Sequence, residues 1–453
     1  MAQGPELRWG LADTLVVVSI VASGVMVAGL LHTPSPDEAA GPAYLTPEVE
    51  FPTTIPGCDT VAAPSSDEGF AAWLSGDATY DNPRYPWFTA PKATAMSDAL
   101  RASLPAQVQL EFADPDNSLT FQPMHDYSGN AEFPDDMTVD DIGGDTTASG
   151  LLVRGDERGR VSVTVRQRTK PVPECVAGAL DRRSTFPDGT VVDTLDTWAE
   201  YDGVRTLSRQ ATAYLPDHTQ VQAWASDEYP AEQGNRNSGG VPLTVGELSD
   251  LARTPGLATT APVPEGTPPP PRSCDSGGGA GGFPLTRATV AEVDTVLDGA
   301  WQALAPDGVT LDRPLGSLQP AGTSPTGLCT TVDVRGPAGT GRLSVVISDG
   351  QALPAPRDPY DPATADDRSE YTTLADGSVV QRTAPDTVAT MRPDGATGWQ
   401  TSAAAVVTRP DGFRIQVRLS SDGDLASDTP RSLDPVLTLD QLQSLASTPG
   451  LRW

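Results

Sequence analysis

A serine flanked by glycine, in Asn237-Ser238-Gly239-Gly240, is the first candidate for chemistry, because a nucleophile must be exposed to close approach. Acyl transfer from such a serine needs a histidine to take its proton and a buried carboxylate to orient that histidine. The chain has three histidines. His32 stands apart near the amino terminus. His218 follows Pro216-Asp217 where Gly412 follows Pro410-Asp411, which marks it as a turn residue in the left-handed region that histidine tolerates. Only His125 remains, and its setting, Met124-His125-Asp126, does not match that of a protease base. Ser238 is therefore read as part of a polar connector, and no catalytic residue is assigned.

Other chemistries meet similar obstacles. Ser276 to Gly282 is rich in glycine but lacks the lysine and hydroxyl residue that a phosphate-cradling loop needs. The pairs Asp114/Asp116, Asp366/Asp367 and Asp422/Asp424 lack the spacing of a calcium loop, with its glycine and closing glutamate. No Cys-x-x-Cys pair or histidine cluster suggests zinc, so neither metal nor cofactor is expected. Paired carboxylates for glycoside hydrolysis stand ~5–9 Å apart as a tertiary property. A carboxylate-based hydrolase therefore stays open as an alternative.

Two stretches are peculiar to the first part of the chain. Phe70 to Phe88 concentrates aromatic residues, among them Trp73, Tyr80, Tyr85 and Trp87, which would serve either as a ligand-binding platform or as packing. Pro123 to Ala148 carries Asp126, Glu132, Asp135, Asp136, Asp140, Asp141 and Asp145 without a lysine or arginine, a pattern read as solvation in preference to cation binding.

The elements that must position these residues come twice. Leu251-Ala252-Arg253-Thr254-Pro255-Gly256-Leu257 recurs as Leu445-Ala446-Ser447-Thr448-Pro449-Gly450-Leu451, and Gln222 is answered by Gln416 at the same offset. At smaller offsets, Asp188-Gly189 is answered by Asp376-Gly377, and Val153-Arg154-Gly155 by Val334-Arg335-Gly336. Two long copies are duplicated domains, not a solenoid with its short period. Apolar spacing predicts helices around Met96 to Leu104 and from Val290 to Leu304. Short terminal helices are expected over Val245 to Ala252 and Leu439 to Ala446, opened by Thr244 and Thr438 as N-caps. Alternating runs such as Val161 to Val165, Arg205 to Tyr214, Leu343 to Ile347 and Phe413 to Leu419 read as strands joined by hairpins. The fold class expected is α+β: two tandem domains, each an antiparallel sheet with helices on one face.

Four cysteines allow three pairings. Cys58 and Cys274 open the two copies, and keeping each bond within one copy gives Cys58–Cys175 and Cys274–Cys329. Disulfides belong to an oxidising compartment.

Leu11 to Leu31 is apolar apart from Asp13 and, at ~1.5 Å per residue, is long enough for a ~30 Å hydrocarbon core. With Arg8 before it and acidic residues after it, it is expected to act as a single-pass membrane anchor with the rest of the chain outside. The organisation expected is a cytoplasmic tail over 1–10, a transmembrane helix over 11–31, a proline-rich stalk over 32–57, copy one over 58–257, a proline-rich linker over 258–273 and copy two over 274–453. A formal net charge of −30 repels phosphate backbones, so nucleic acid is excluded as a partner. The functional expectation is a membrane-anchored extracytoplasmic protein at the cell membrane, not an enzyme, that binds a cell-envelope component or a partner protein. An exported hydrolase with a carboxylate-based site in copy one, or a purely structural envelope spacer, are the alternatives.

Overall fold

The structure is a computed structural model and describes residues 44–64, 77–127, 144–231, 234–274, 285–304, 306–321, 324–354, 369–391, 397–422 and 436–453. In the first half, helix α1 (Ala90–Ala102) precedes five long strands, β1 (Asp145–Arg154), β2 (Glu157–Gln167), β3 (Val191–Tyr201), β4 (Val204–Tyr214) and β5 (Thr219–Ser226), and helix α2 (Val245–Ala252) follows them. In the second half, α3 (Arg287–Leu304) precedes β6 (Ser324–Gly336), β7 (Gly339–Ser348), β8 (Val379–Met391), β9 (Thr397–Thr408) and β10 (Arg414–Asp422), and α4 (Leu439–Ala446) follows.

Both sheets are antiparallel along these strands and share one order. In the first it is β3-β4-β5-β2-β1, and in the second β8-β9-β10-β7-β6. The register repeats as well: Val165 stands opposite Val221, and Ile347 opposite Ile415. One face of each sheet is apolar. Val161, Val163, Val165, Val221, Ala223, Ala211 and Ala213 join Leu248, Leu251 and Met96 in the first core. Leu343, Val345, Ile347, Ile415 and Val417 join Val290, Leu297, Leu442 and Leu445 in the second. The terminal helices start alike. Thr244 and Thr438 have the same backbone angles (φ −76°, ψ 159°), and each closes a capping box with the residue three further on, Glu247 or Gln441.

The α+β class is overturned. Strand far outweighs helix, and the four α-helices among the described residues are minor elements, not a layer comparable with the sheets. The excess of strand comes from β3, β8 and Ser369–Thr373, which sequence alternation does not reveal. The acidic residues of β3 conceal it: Asp196 and Glu200 face Arg209 and Arg205 across the β3–β4 pairing, and Asp193 faces Arg183 on the other side. In β8 the register shifts between Thr383 and Asp386, around Pro385, whose missing N–H cannot join a ladder.

The membrane expectation is corrected too. Leu11 to Leu31 lies outside the described residues, and among those described no helix is long and apolar enough to cross a membrane. Single-pass anchoring, a membrane partner and a cell-membrane location are withdrawn accordingly.

Parts of the expected stalk and linker are docked. Tyr44–Leu45 pairs with the end of β3. After α2, the Thr259 amide donates to Thr219 Oγ1 (2.8 Å), and the buried Lys92 of α1 donates its Nζ to the carbonyls of Ala258 and Ala261. The halves also touch. Phe112 packs against the second core with the guanidinium of Arg287 4.9 Å from its ring, and Ser273 Oγ donates to Asp116 Oδ1 at 2.8 Å.

Candidate functional site

Residues 44–62 return to the first sheet on the face away from α2. There Val61–Ala62 pairs in parallel with Cys175–Val176, and Ile55, Cys175 and Leu180 form a small apolar centre with Cys58 and Val61 against it. The Cys58–Cys175 disulfide closes this unit, joining residues 117 positions apart with a Cα–Cα distance of 6.2 Å. The second disulfide, Cys274–Cys329, lies within the second half, so both pairings are those that keep each bond within one copy. Two disulfides place the protein in an extracytoplasmic, oxidising setting. Chain-entropy arithmetic gives each bond about 4–5 kcal/mol.

The unit acts as a cap. The Arg183 amide donates to Pro56 O (2.9 Å) and the Asp181 amide to Thr194 O (2.7 Å), which ties it to the sheet. Gly57 sits where only glycine fits: its φ is +85°, and a Cβ would stand 1.9 Å from the Arg183 carbonyl oxygen. Arg183 also grips Asp193 through two hydrogen bonds, and that bond holds its pKa above the ordinary value against the opposing effect of burial.

Between cap and sheet runs a cleft of about 550 Å³. Leu195, Thr197 and Ala199 of β3 alternate along its floor with Ser208 and Gln210 of β4 beside them, and Thr46, Glu48, Glu50 and Thr53 line the cap side. Gln210 Nε2 donates to Thr212 Oγ1 (3.2 Å), fixing the amide's orientation. Asp181 completes the lining, its carboxylate accepting from the Asp196 amide, while the Asp196 side chain turns to the other face of the sheet and accepts from Arg209 Nε. No lysine or arginine lines the cleft among the described residues. Hydroxyls, an amide and carboxylates over a partly apolar floor suit a ligand rich in hydroxyl or amine groups.

The residues singled out from sequence fall elsewhere. Tyr85 is buried, and Tyr80 and Trp87 pack against the first core beside Phe88, with ring centroids 5.8 and 5.3 Å from it. Tyr80 donates its hydroxyl to Phe121 O (3.0 Å), and its pKa is driven up by burial and then by Asp116. Trp73 lies outside the described residues, as does most of the acidic stretch. At the end of that stretch, burial raises the pKa of Asp145 against the opposing charge of Arg166. His125 stacks on Tyr127 at 5.7 Å, and His218 has the left-handed φ (+68°) that its turn implies. Ser238 donates to Gly240 O (2.9 Å) within its own loop. No group of three or more potential metal ligands occurs among the described residues.

The cleft residues escaped sequence reading because their signal is weak. Thr197, Ser208 and Gln210 are ordinary outward-facing polar residues of a sheet, and nothing in the order of residues tells that a segment far earlier lies over them.

No protein-family model matches the chain, and no curated protein matches it. A solved structure, the di-domain ARO/CYC BexL from the BE-7585A biosynthetic pathway, aligns over 76% of this chain and 98% of its own at 11% identity, with a TM-score of 0.13. So slight a likeness carries no argument about fold or function.

Proposed function

We propose that the protein works outside the cytoplasm as a binding protein and not a catalyst, taking a hydroxyl- or amine-rich component of the cell envelope, such as a glycan segment, into the cleft beneath the cap. The observation that carries this reading is the cleft's make-up: a wall pinned by a disulfide, a lining of threonine, serine, glutamine and carboxylate side chains, and no cationic side chain among them. A fixed wall spares the ordering cost of binding. Carboxylates accept hydrogen bonds from sugar hydroxyls and attract amines.

Calorimetric titration of the full chain with neutral and amine-bearing oligosaccharides tests it. Binding by wild type that weakens in Gln210→Ala and disappears in Ser208→Trp, which fills the floor, supports the proposal. New reducing ends in the same mixtures would replace it with a hydrolase using the cleft carboxylates. A protein partner is a second reading, favoured by Tyr44, Leu45, Tyr201 and Val204, all about half exposed along the sheet edge beside the cleft.

A further inference from the structure

The outer face of the second sheet holds another cleft, of about 340 Å³, and its chemistry is the reverse of the first. We propose that it binds an oxyanion, presented as a phosphate ester or a carboxylate on a small ligand or on one unit of a polymer. The inference is independent of what the first cleft takes.

Three arginines converge there. Arg342 stands opposite Ser420 and Ser344 opposite Arg418 in the β7–β10 register, so the two arginines are diagonal neighbours, with Cα atoms roughly 7–8 Å apart. The hydroxyls of Ser344 and Ser420 share the cleft with them, and Thr331 Oγ1 lies 3.0 Å from Ser344 Oγ. Arg272 supplies the third guanidinium from the segment crossing the sheet. Asp333 pairs with Arg272 at 3.1 Å and lies 4.0 Å from Arg342. Arg418 is exposed and gives a hydrogen bond to Ser402 Oγ at 3.3 Å, which uses one of the five N–H groups of its fork. A guanidinium's planar fork matches the paired oxygens of phosphate and carboxylate, and hydroxyl donors complete an oxyanion's shell.

The wall is built, not draped. Cys274 is bonded to Cys329 of β6, the Arg272 carbonyl accepts from Gln319 Nε2 at 2.6 Å, and Ser273 is held by Asp116 of the first half. The first sheet lacks the arrangement. Its register places Ser162 opposite Trp224 where the second sheet has Ser344 opposite Arg418. A cationic cleft on a chain of net charge −30 also selects by size: a small anion can enter, while a long polyanion is repelled by the rest of the surface.

The test titrates the full chain with inorganic phosphate, glucose 1-phosphate, glucuronate and, as a neutral control, glucose, at low and moderate salt. Expected are saturable binding of the anions, weakening with salt, no binding of glucose, and a loss of about tenfold or more in both Arg418→Gln and Arg272→Gln. Both positions are exposed, so melting temperatures should stay within about 3 °C of wild type. Tighter binding of glucose 1-phosphate assigns a phosphate ester, and tighter binding of glucuronate a carboxylate. Absence of saturable anion binding, equal binding of glucose, or undiminished binding by both variants overturns the proposal.

Discussion

Arg183 and Asp193 face each other across adjacent strands and are joined by two hydrogen bonds of 2.6 and 2.7 Å, with both side chains largely buried. The pair couples the sheet to the cap, because the amide of the same arginine bonds Pro56. Removing one partner leaves the other's charge uncompensated. Arg183→Met should cost about 3 kcal/mol, lowering the melting temperature by about 6–10 °C. Asp193→Asn should cost less, since an amide oxygen still accepts. A double-mutant cycle measured by urea unfolding checks this, and a coupling energy near zero would contradict it.

The cap should loosen before the sheet does. Replacing Cys58 and Cys175 by serine removes the closure, and amide exchange at Ala177 and Arg183, which bond Ala62 and Pro56, should accelerate while the amides of β4 and β5 stay protected. Uniform acceleration along the first half would show that cap and sheet open as one unit.

Gly57→Ala attacks the same joint through the backbone. The left-handed φ alone costs an alanine about 1–2 kcal/mol, and its Cβ would strike the Arg183 carbonyl. Oligosaccharide binding should fall more steeply than the melting temperature. The opposite ranking would detach the cleft from the cap.

Lys92 makes stability depend on alkaline pH. Burial pushes its pKa down to about 8, against the attraction of Asp217. An unfolded lysine keeps its proton to about pH 10.4, so between about pH 8 and 10 the unfolded chain binds more protons and stability rises with pH. Below that window the proton is held in both states and the contribution is constant. Above about pH 10 the half-buried Tyr80 and the buried Tyr214, both shifted upward by burial, oppose the rise because their unfolded counterparts ionise first. Urea midpoints from pH 7.5 to 9.5 should climb in wild type and climb less in Lys92→Met. Equal slopes would exclude the lysine as the source.

The two capping boxes should differ in worth. Glu247 closes its box and also accepts from Arg154 Nη2 at 2.6 Å, whereas Gln441 serves only its box among the described contacts. Glu247→Ala should therefore cost about 2 kcal/mol and Gln441→Ala about 1, read from denaturant midpoints.

Much of the scaffold was legible in sequence because it rests on local signals. Thr244 and Thr438 with glutamate or glutamine three residues on fix where α2 and α4 begin, and the spacing of Val290, Val293 and Leu297 gives α3 its buried stripe. What failed depends on distant partners. The carboxylates of β3 belong in a strand only because Arg183, Arg205 and Arg209 arrive opposite them. Both clefts are likewise products of segments laid over a sheet from far away in the chain. The aromatic residues of Tyr80 to Phe88 were visible as a group, but composition does not tell a platform from a core.

The shared strand order has a consequence for how the chain reaches its fold. Within the first sheet, β1–β2 and β3–β4–β5 are local ribbons that can zip early, while the β2–β5 seam joins residues more than fifty positions apart and must wait for a larger loop to close. Until it does, Val161, Val163 and Val165 present an apolar edge. The matching seam between β7 and β10 has the same register and apolar alternation, so each seam strand has a near-identical rival partner in the other half of its own chain. Tandem copies of this kind invite cross-pairing during refolding. Folding the first half before the second becomes available, as when a chain emerges amino terminus first, removes that competitor.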